Sequence, residues 1–200
     1  MTNVNRKTGY LVRLAIMVAI TLVLAYTPLG YFKTAGLEIS FMMVPVTVGA
    51  VLLGPAAGAV LGGLFGLTSF IQCLTGSLFG ATLLSINPVG CFITCIVPRI
   101  LAGWLPGLLF KVWNEHSAKK DGIVPCSVCS LLGPVLNTVF FMSSICLFFF
   151  YSDYIQGLAA GADMLSFVVA FVGVQGVVEA LVCFVLGTAI GKALLRFLNK

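Results

Sequence analysis

Arg99 and Glu179 each lie inside an apolar run long enough to cross a bilayer. A guanidinium keeps its charge at any useful pH, and at the centre of hydrocarbon a charged side chain costs about 2.5–3.5 kcal/mol even on the lenient insertion scale. Both residues must therefore face the protein interior or an aqueous cavity. Gln175 shares the run of Glu179, while Asn137, Gln72, Thr68 and Ser69 sit in other apolar runs, and Asn87 lies in the segment that leads into the Arg99 run. One cation, one carboxylate, amides and hydroxyls make a recognition set: Arg99 suits a carboxylate, and the others suit hydroxyl and amide groups of a small ligand. An Arg99–Glu179 ion pair that pins two helices is the structural alternative, although burying such a pair is weak support for stability. The two readings are compatible if Glu179 holds Arg99 until a ligand arrives.

The parts needed for turnover are missing from the membrane runs. There is no serine and histidine in mutual reach, no HExxH, no pair of intramembrane aspartates and no Walker glycine-lysine loop, so neither an enzyme nor self-contained coupling to ATP is expected. His116 falls in the hydrophilic stretch 114–122 and reads as solvated. The seven cysteines, Cys73, Cys91, Cys95, Cys126, Cys129, Cys146 and Cys183, lie in or beside apolar segments and read as buried free thiols. Cys126 and Cys129 match a CxxC spacing, but with no second pair and no neighbouring histidine zinc is not expected there. No cofactor and no metal is assigned.

The elements that must hold these residues follow from composition. Hydrophobic residues make up 60% of the chain and charged residues 8%, with a mean hydropathy of +1.13, too little polar surface to clothe a soluble globule. A helix needs about 20 apolar residues to cross the bilayer, so the expectation is an all-α integral membrane protein, a six-transmembrane-helix bundle forming one membrane domain over residues 1–200. The expected helices cover approximately 10–26, 37–53, 55–74, 91–113, 123–150 and 164–190. The first run is too long for a signal peptide and lacks a small-x-small cleavage site, so it reads as a retained span. Residues 28–38 and 75–90 read as loops able to fold over a site, the second partly helical or re-entrant, with an interfacial loop lying on the bilayer as its equal alternative.

Two small-residue patterns bear on packing. Gly54, Gly58, Gly62 and Gly66 recur at strict spacing of four in the third helix, a ridge that lets another backbone approach closely. Ala15 and Ala19 place two small side chains on one face of the first helix, which by spacing alone is no more than a common helix former repeated.

Charge fixes the orientation. An even number of spans puts Arg6, Lys7, Arg13, Lys111, Lys119, Lys120, Lys192, Arg196 and Lys200 on one side, and Lys33, Glu38, Asp153 and Asp163 on the other. By the positive-inside rule both termini are cytoplasmic in a multi-pass protein of the cell membrane, and the net charge of +5 requires no nucleic acid to explain it. In that topology Arg99 lies ~12 Å, Asn137 ~20 Å and Glu179 ~20–22 Å below the outer ends of their helices, all in the middle half of the bilayer.

The run from Met43 through Leu-Leu-Gly-Pro55 into the glycine ridge, the stretch Val97-Pro-Arg-Ile-Leu-Ala-Gly103 and the Ala15/Ala19 pair resemble the substrate-binding (S) components of energy-coupling factor (ECF) vitamin transporters, most of all the pantothenate type. The resemblance covers essentially the whole chain. It implies a non-catalytic subunit that captures a vitamin at the outer face and docks on a membrane coupling protein with two ATPase subunits. It further implies that Ala15 and Ala19 form the docking face and that the two loops are lids. Folate, riboflavin or a queuosine precursor are the alternative cargoes, and a self-sufficient secondary transporter is the alternative mechanism, against which stands the lack of an obvious inverted repeat.

Overall fold

A computed structural model describes residues 3–27, 30–34, 37–75, 77–116, 123–159 and 161–198. In chain order the elements are α1 (Asn3–Tyr26), a hairpin of β1 (Tyr31–Thr34) and β2 (Leu37–Ser40), α2 (Met43–Leu53), α3 (Pro55–Thr75), α4 (Leu78–Ile86), α5 (Pro88–His116), α6 (Ile123–Phe149), α7 (Asp153–Ala159) and α8 (Met164–Leu198). Apolar segments in lipid have no water to take their backbone N–H and C=O groups, and the helix is the structure that satisfies them within one segment. Five of these helices, α1, α3, α5, α6 and α8, contain a stretch long and apolar enough to cross a membrane. Lys119, Lys120, Lys200 and Pro28, used in the topology and loop readings, lie outside the described residues.

The expected helix over residues 37–53 is the main departure. Leu37–Ser40 pair antiparallel with Tyr31–Thr34, in a register that sets Lys33 opposite Glu38, and the helix starts only at Met43. Aromatic and β-branched residues in this stretch favour a pleated strand, and pairing gives both segments hydrogen bonds that a lone extended chain would lack. The remaining 11-residue α2 is about 16 Å long, half the hydrocarbon thickness. Met43 through Val51 are all buried, and α2 touches α1, α3, α5, α6 and α8. A helix apolar on every side belongs at the centre of a bundle, and α2 occupies that place.

Elsewhere helix extends into segments expected to be loops. Residues 75–90 contain α4, whose N-terminus is capped by the Ser77 hydroxyl accepting the Gly80 amide at 3.2 Å. The outer loop expected over 151–163 contains α7, and α5 and α8 both run past their expected ends. Between α2 and α3 the chain turns at Gly54, whose φ of 96° is strained for any residue with a Cβ, and Pro55 opens α3 where its missing N–H costs nothing.

The glycine ridge does what its spacing implies. A Cβ on Gly58, Gly62 or Gly66 would strike the backbone carbonyl of Gly103, Arg99 or Cys95, so each step of four along α3 is answered by a step of four back along α5. The two helices run antiparallel in backbone contact, which lipid cannot drive and small residues permit. Gly103 repeats the device from the other side, against the Gly58 carbonyl.

Gly62→Ala forces α3 off the Arg99 backbone and is expected to destabilise the fold by about 1–3 kcal/mol, whereas Gly157→Ala, in open space, is not. Thermal unfolding of the two variants in detergent measures the difference, and equal melting temperatures would refute the close-packing account.

Candidate functional site

Arg99 owes its position to the residue before it. Pro98 lies inside α5 and has no N–H, so the carbonyl of Thr94, four residues back, loses its helical partner. The Arg99 guanidinium takes that place: its Nη1 donates to the Thr94 oxygen at 2.6 Å. Aromatic rings cover the cation from two other helices. The guanidinium carbon stands 4.6 Å from the ring centre of Phe141 on α6 and 5.4 Å from that of Phe65 on α3. Cation–π attraction of this kind reaches ~2 kcal/mol where water is excluded, and Arg99 is only 7% exposed.

Close contacts set the levels of the other polar residues. The Cys129 thiol on α6 donates to the Pro106 carbonyl on α5 at 3.2 Å, and together with the Arg99–Phe141 contact this fixes α5 and α6 antiparallel. On α8, Gly176 faces Thr138, Gly187 faces Ser130 and Gly191 faces the Cys126 sulfur, so α6 and α8 also run antiparallel in close approach. Glu179, one turn from Gly176, therefore lies level with Asn137, and both lie level with the Arg99 region of α5. Asn137 and Glu179 are buried, at 8% and 5% exposure.

The buried oxygens at this level are incompletely used. Asn137 Oδ1, Glu179 Oε1 and Thr94 Oγ1 have no hydrogen-bond partner among the described residues. Each such group costs roughly 1–3 kcal/mol when left dry and unpaired, so three of them around one buried cation call for an explanation.

The other residues picked from the sequence are distributed around this centre. Gln175 is half-buried one turn along α8 from Glu179. Thr68 is buried on α3 with its hydroxyl donating to the Phe65 carbonyl at 2.9 Å, and Ser69 beside it is half-buried. Gln72 Nε2 donates to the Ala25 carbonyl at 3.1 Å, tying the end of α3 to the end of α1. Asn87 caps α5, its Oδ1 accepting the Gly90 amide at 2.9 Å. Arg99, Asn137 and Glu179 thus share a level, while Gln72 and Asn87 hold helix ends nearer α4.

Phe65, Phe141 and Thr94 belong to the site and were not picked out from the sequence. The signal for Thr94 is present there, since a proline four residues later always frees a carbonyl, but nothing in an apolar run marks which phenylalanines will face a cation. Ala15 and Ala19 are exposed, on a helix whose Leu11, Val12, Ile16, Ile20 and Val23 are also exposed. His116 is exposed at the end of α5. All seven cysteines are free thiols, and six of them are buried.

Residues 9–191 match the family described as ECF transporter, substrate-specific component. The chain is 29% identical over 171 residues, 80% of each chain, to the protein named pantothenic acid transporter PanT of Lactococcus lactis subsp. cremoris. It is 27% identical over 203 aligned positions, 98% of this chain and 97% of the relative, to the protein named pantothenate transporter PanT of Leuconostoc mesenteroides subsp. mesenteroides. A bundle of apolar helices around one buried cation, matched over nearly its whole length, belongs to the substrate-specific components of ECF transporters.

Proposed function

We propose that this chain is the pantothenate-capturing subunit of an ECF importer, binding its cargo at the level of Arg99, Asn137 and Glu179. The observation that carries the reading is the pairing of one buried guanidinium with two buried oxygens that lack hydrogen-bond donors. Pantothenate offers the complement: a carboxylate for the cation, and two hydroxyls and an amide N–H as donors for Asn137 Oδ1 and Glu179 Oε1. Gln175, Thr68 and Ser69 extend the polar wall, with Gln72 and Asn87 at its outer rim. The names carried by the two relatives agree with this cargo.

The site is closed over, so capture requires a cover that moves. The hairpin, whose β2 touches α8, and α4, which packs on α3 and α5, are the two covers. The five long helices together with α2 make the six passages of the proposed topology, with Lys7, Arg13, Lys111 and Lys192 at the cytoplasmic end and Asp153 and Asp163 outside. The subunit performs no catalysis. Uptake is driven by a membrane coupling protein and two ATPase subunits in the cell membrane, docked on the exposed Ala15 and Ala19 face of α1.

Arg99→Ala is expected to weaken pantothenate binding by about 2–5 kcal/mol while the protein still purifies as a folded monodisperse species. Calorimetric titration alongside size-exclusion chromatography tests this, and loss of expression together with binding would return Arg99 to a purely structural role. Pro98→Ala restores an N–H that competes for the Thr94 carbonyl, so affinity should fall with thermal stability unchanged or raised, and unchanged affinity would remove the carbonyl from the site. Ala15→Trp and Ala19→Trp should leave binding intact and block uptake by cells carrying the coupling module; uptake at the normal rate in both would exclude that face.

A further inference from the structure

One turn along α5 from Arg99, the thiols of Cys73, Cys91 and Cys95 bring three sulfurs within 4.8 Å of one another. Cys91 and Cys95 are one turn apart on α5, and Cys73 reaches them from α3 across the same close crossing that the glycines permit. The Cys73 and Cys95 sulfurs are 3.8 Å apart. Two thiolates on one zinc-like ion at ~2.3 Å each lie about 3.8 Å apart in tetrahedral geometry, so this pair already has the spacing of a shared metal.

The surroundings select the kind of ion. Leu83, Met142, Ile145 and Phe149 pack against the cluster, and no histidine or carboxylate belongs to it among the described residues. Calcium, magnesium and sodium need about six oxygen ligands, and one serine hydroxyl, Ser69 beside Cys95, does not supply them, whereas thiolates favour soft cations. Charge narrows the choice further. A divalent ion with three thiolates carries one net negative charge. A monovalent ion would leave a second negative charge uncompensated in an apolar interior, where bare charge is expensive.

We propose that Cys73, Cys91 and Cys95 form a binding site for one soft divalent cation of the zinc and cadmium class, clamping α3 to α5 beneath α4. Binding replaces three S–H bonds by three metal–sulfur bonds and releases three protons, with no change of oxidation state. Gly80 of α4 lies directly on Cys73, where a side chain would collide with the sulfur, so α4 seats closely over the cluster. The cluster adjoins the Arg99 level, but its three ligands are not among the groups proposed to hold the cargo, and the readout below is taken without it.

Cadmium chloride titrated into the detergent-purified full chain under reducing conditions, without vitamin, is the test. One ion per chain is expected, with the ultraviolet sulfur-to-cadmium charge-transfer band and three sulfur neighbours by X-ray absorption at the cadmium edge. Cys95→Ser should weaken binding at least about tenfold, and the double change Cys126→Ser and Cys129→Ser should leave it unaltered. A wild-type chain with no charge-transfer band, or with fewer than three sulfurs on the ion, would overturn the proposal. So would a band that survives Cys95→Ser and disappears with the Cys126 and Cys129 changes. If Cys95→Ser does not fold, the sulfur count on the wild-type chain decides alone.

Discussion

A charge that cannot be neutralised sits inside a structure meant for hydrocarbon, and much of the bundle is arranged to keep it there. Arg99 is held by the Thr94 carbonyl and covered by Phe141 and Phe65. The carbonyl is available because Pro98 removed its usual donor, so one defect in the helix is repaired by the cation that follows it. A proline inside a helix costs about 3 kcal/mol in isolation, but here the freed acceptor is satisfied by a charge-assisted hydrogen bond. The proline and the arginine therefore act together, the one freeing the carbonyl that the other uses.

Holding the cation in one place requires the helices around it to have one register, and the small residues supply it. Between α3 and α5 the contacts are backbone against backbone, at Gly58, Gly62, Gly66 and Gly103, so sliding by a residue would bring a side chain against a carbonyl. Between α6 and α8, Gly187 and Gly191 make room for the Ser130 and Cys126 side chains, and Gly176 meets Thr138 in ordinary contact. Without water between them, apolar side chains gain little by leaving lipid for one another, and close steric fit carries the specificity. The polar level of Arg99, Asn137 and Glu179 is a product of these registers.

The edges of the bundle contrast with this interior. α1 is exposed along much of its length, while the short α2 beside it is buried on every side. The remaining elements are short, a two-stranded hairpin and a nine-residue helix, touching α8 and the α3–α5 pair respectively.

The sequence alone determined the membrane-type helical bundle and the family, and it singled out Arg99, Asn137 and Glu179 as buried polar residues, because a polar residue in an apolar run is rare and expensive enough to be conspicuous. It determined the α3 packing face as well, since a glycine every four residues has little other use in a helix. It did not separate Leu37–Ser40 from the helix that follows, because a few apolar and β-branched residues fit either structure until a partner strand is present. Nor did it mark Phe65 and Phe141, which resemble every other aromatic in a chain with 16 phenylalanines. Cys73, Cys91 and Cys95 follow no metal-binding spacing, and only the crossing of α3 and α5 gathers them. Tertiary structure decided those points for a common reason: each depends on which face of one helix meets which face of another, and periodicity within a single segment carries no record of its partner.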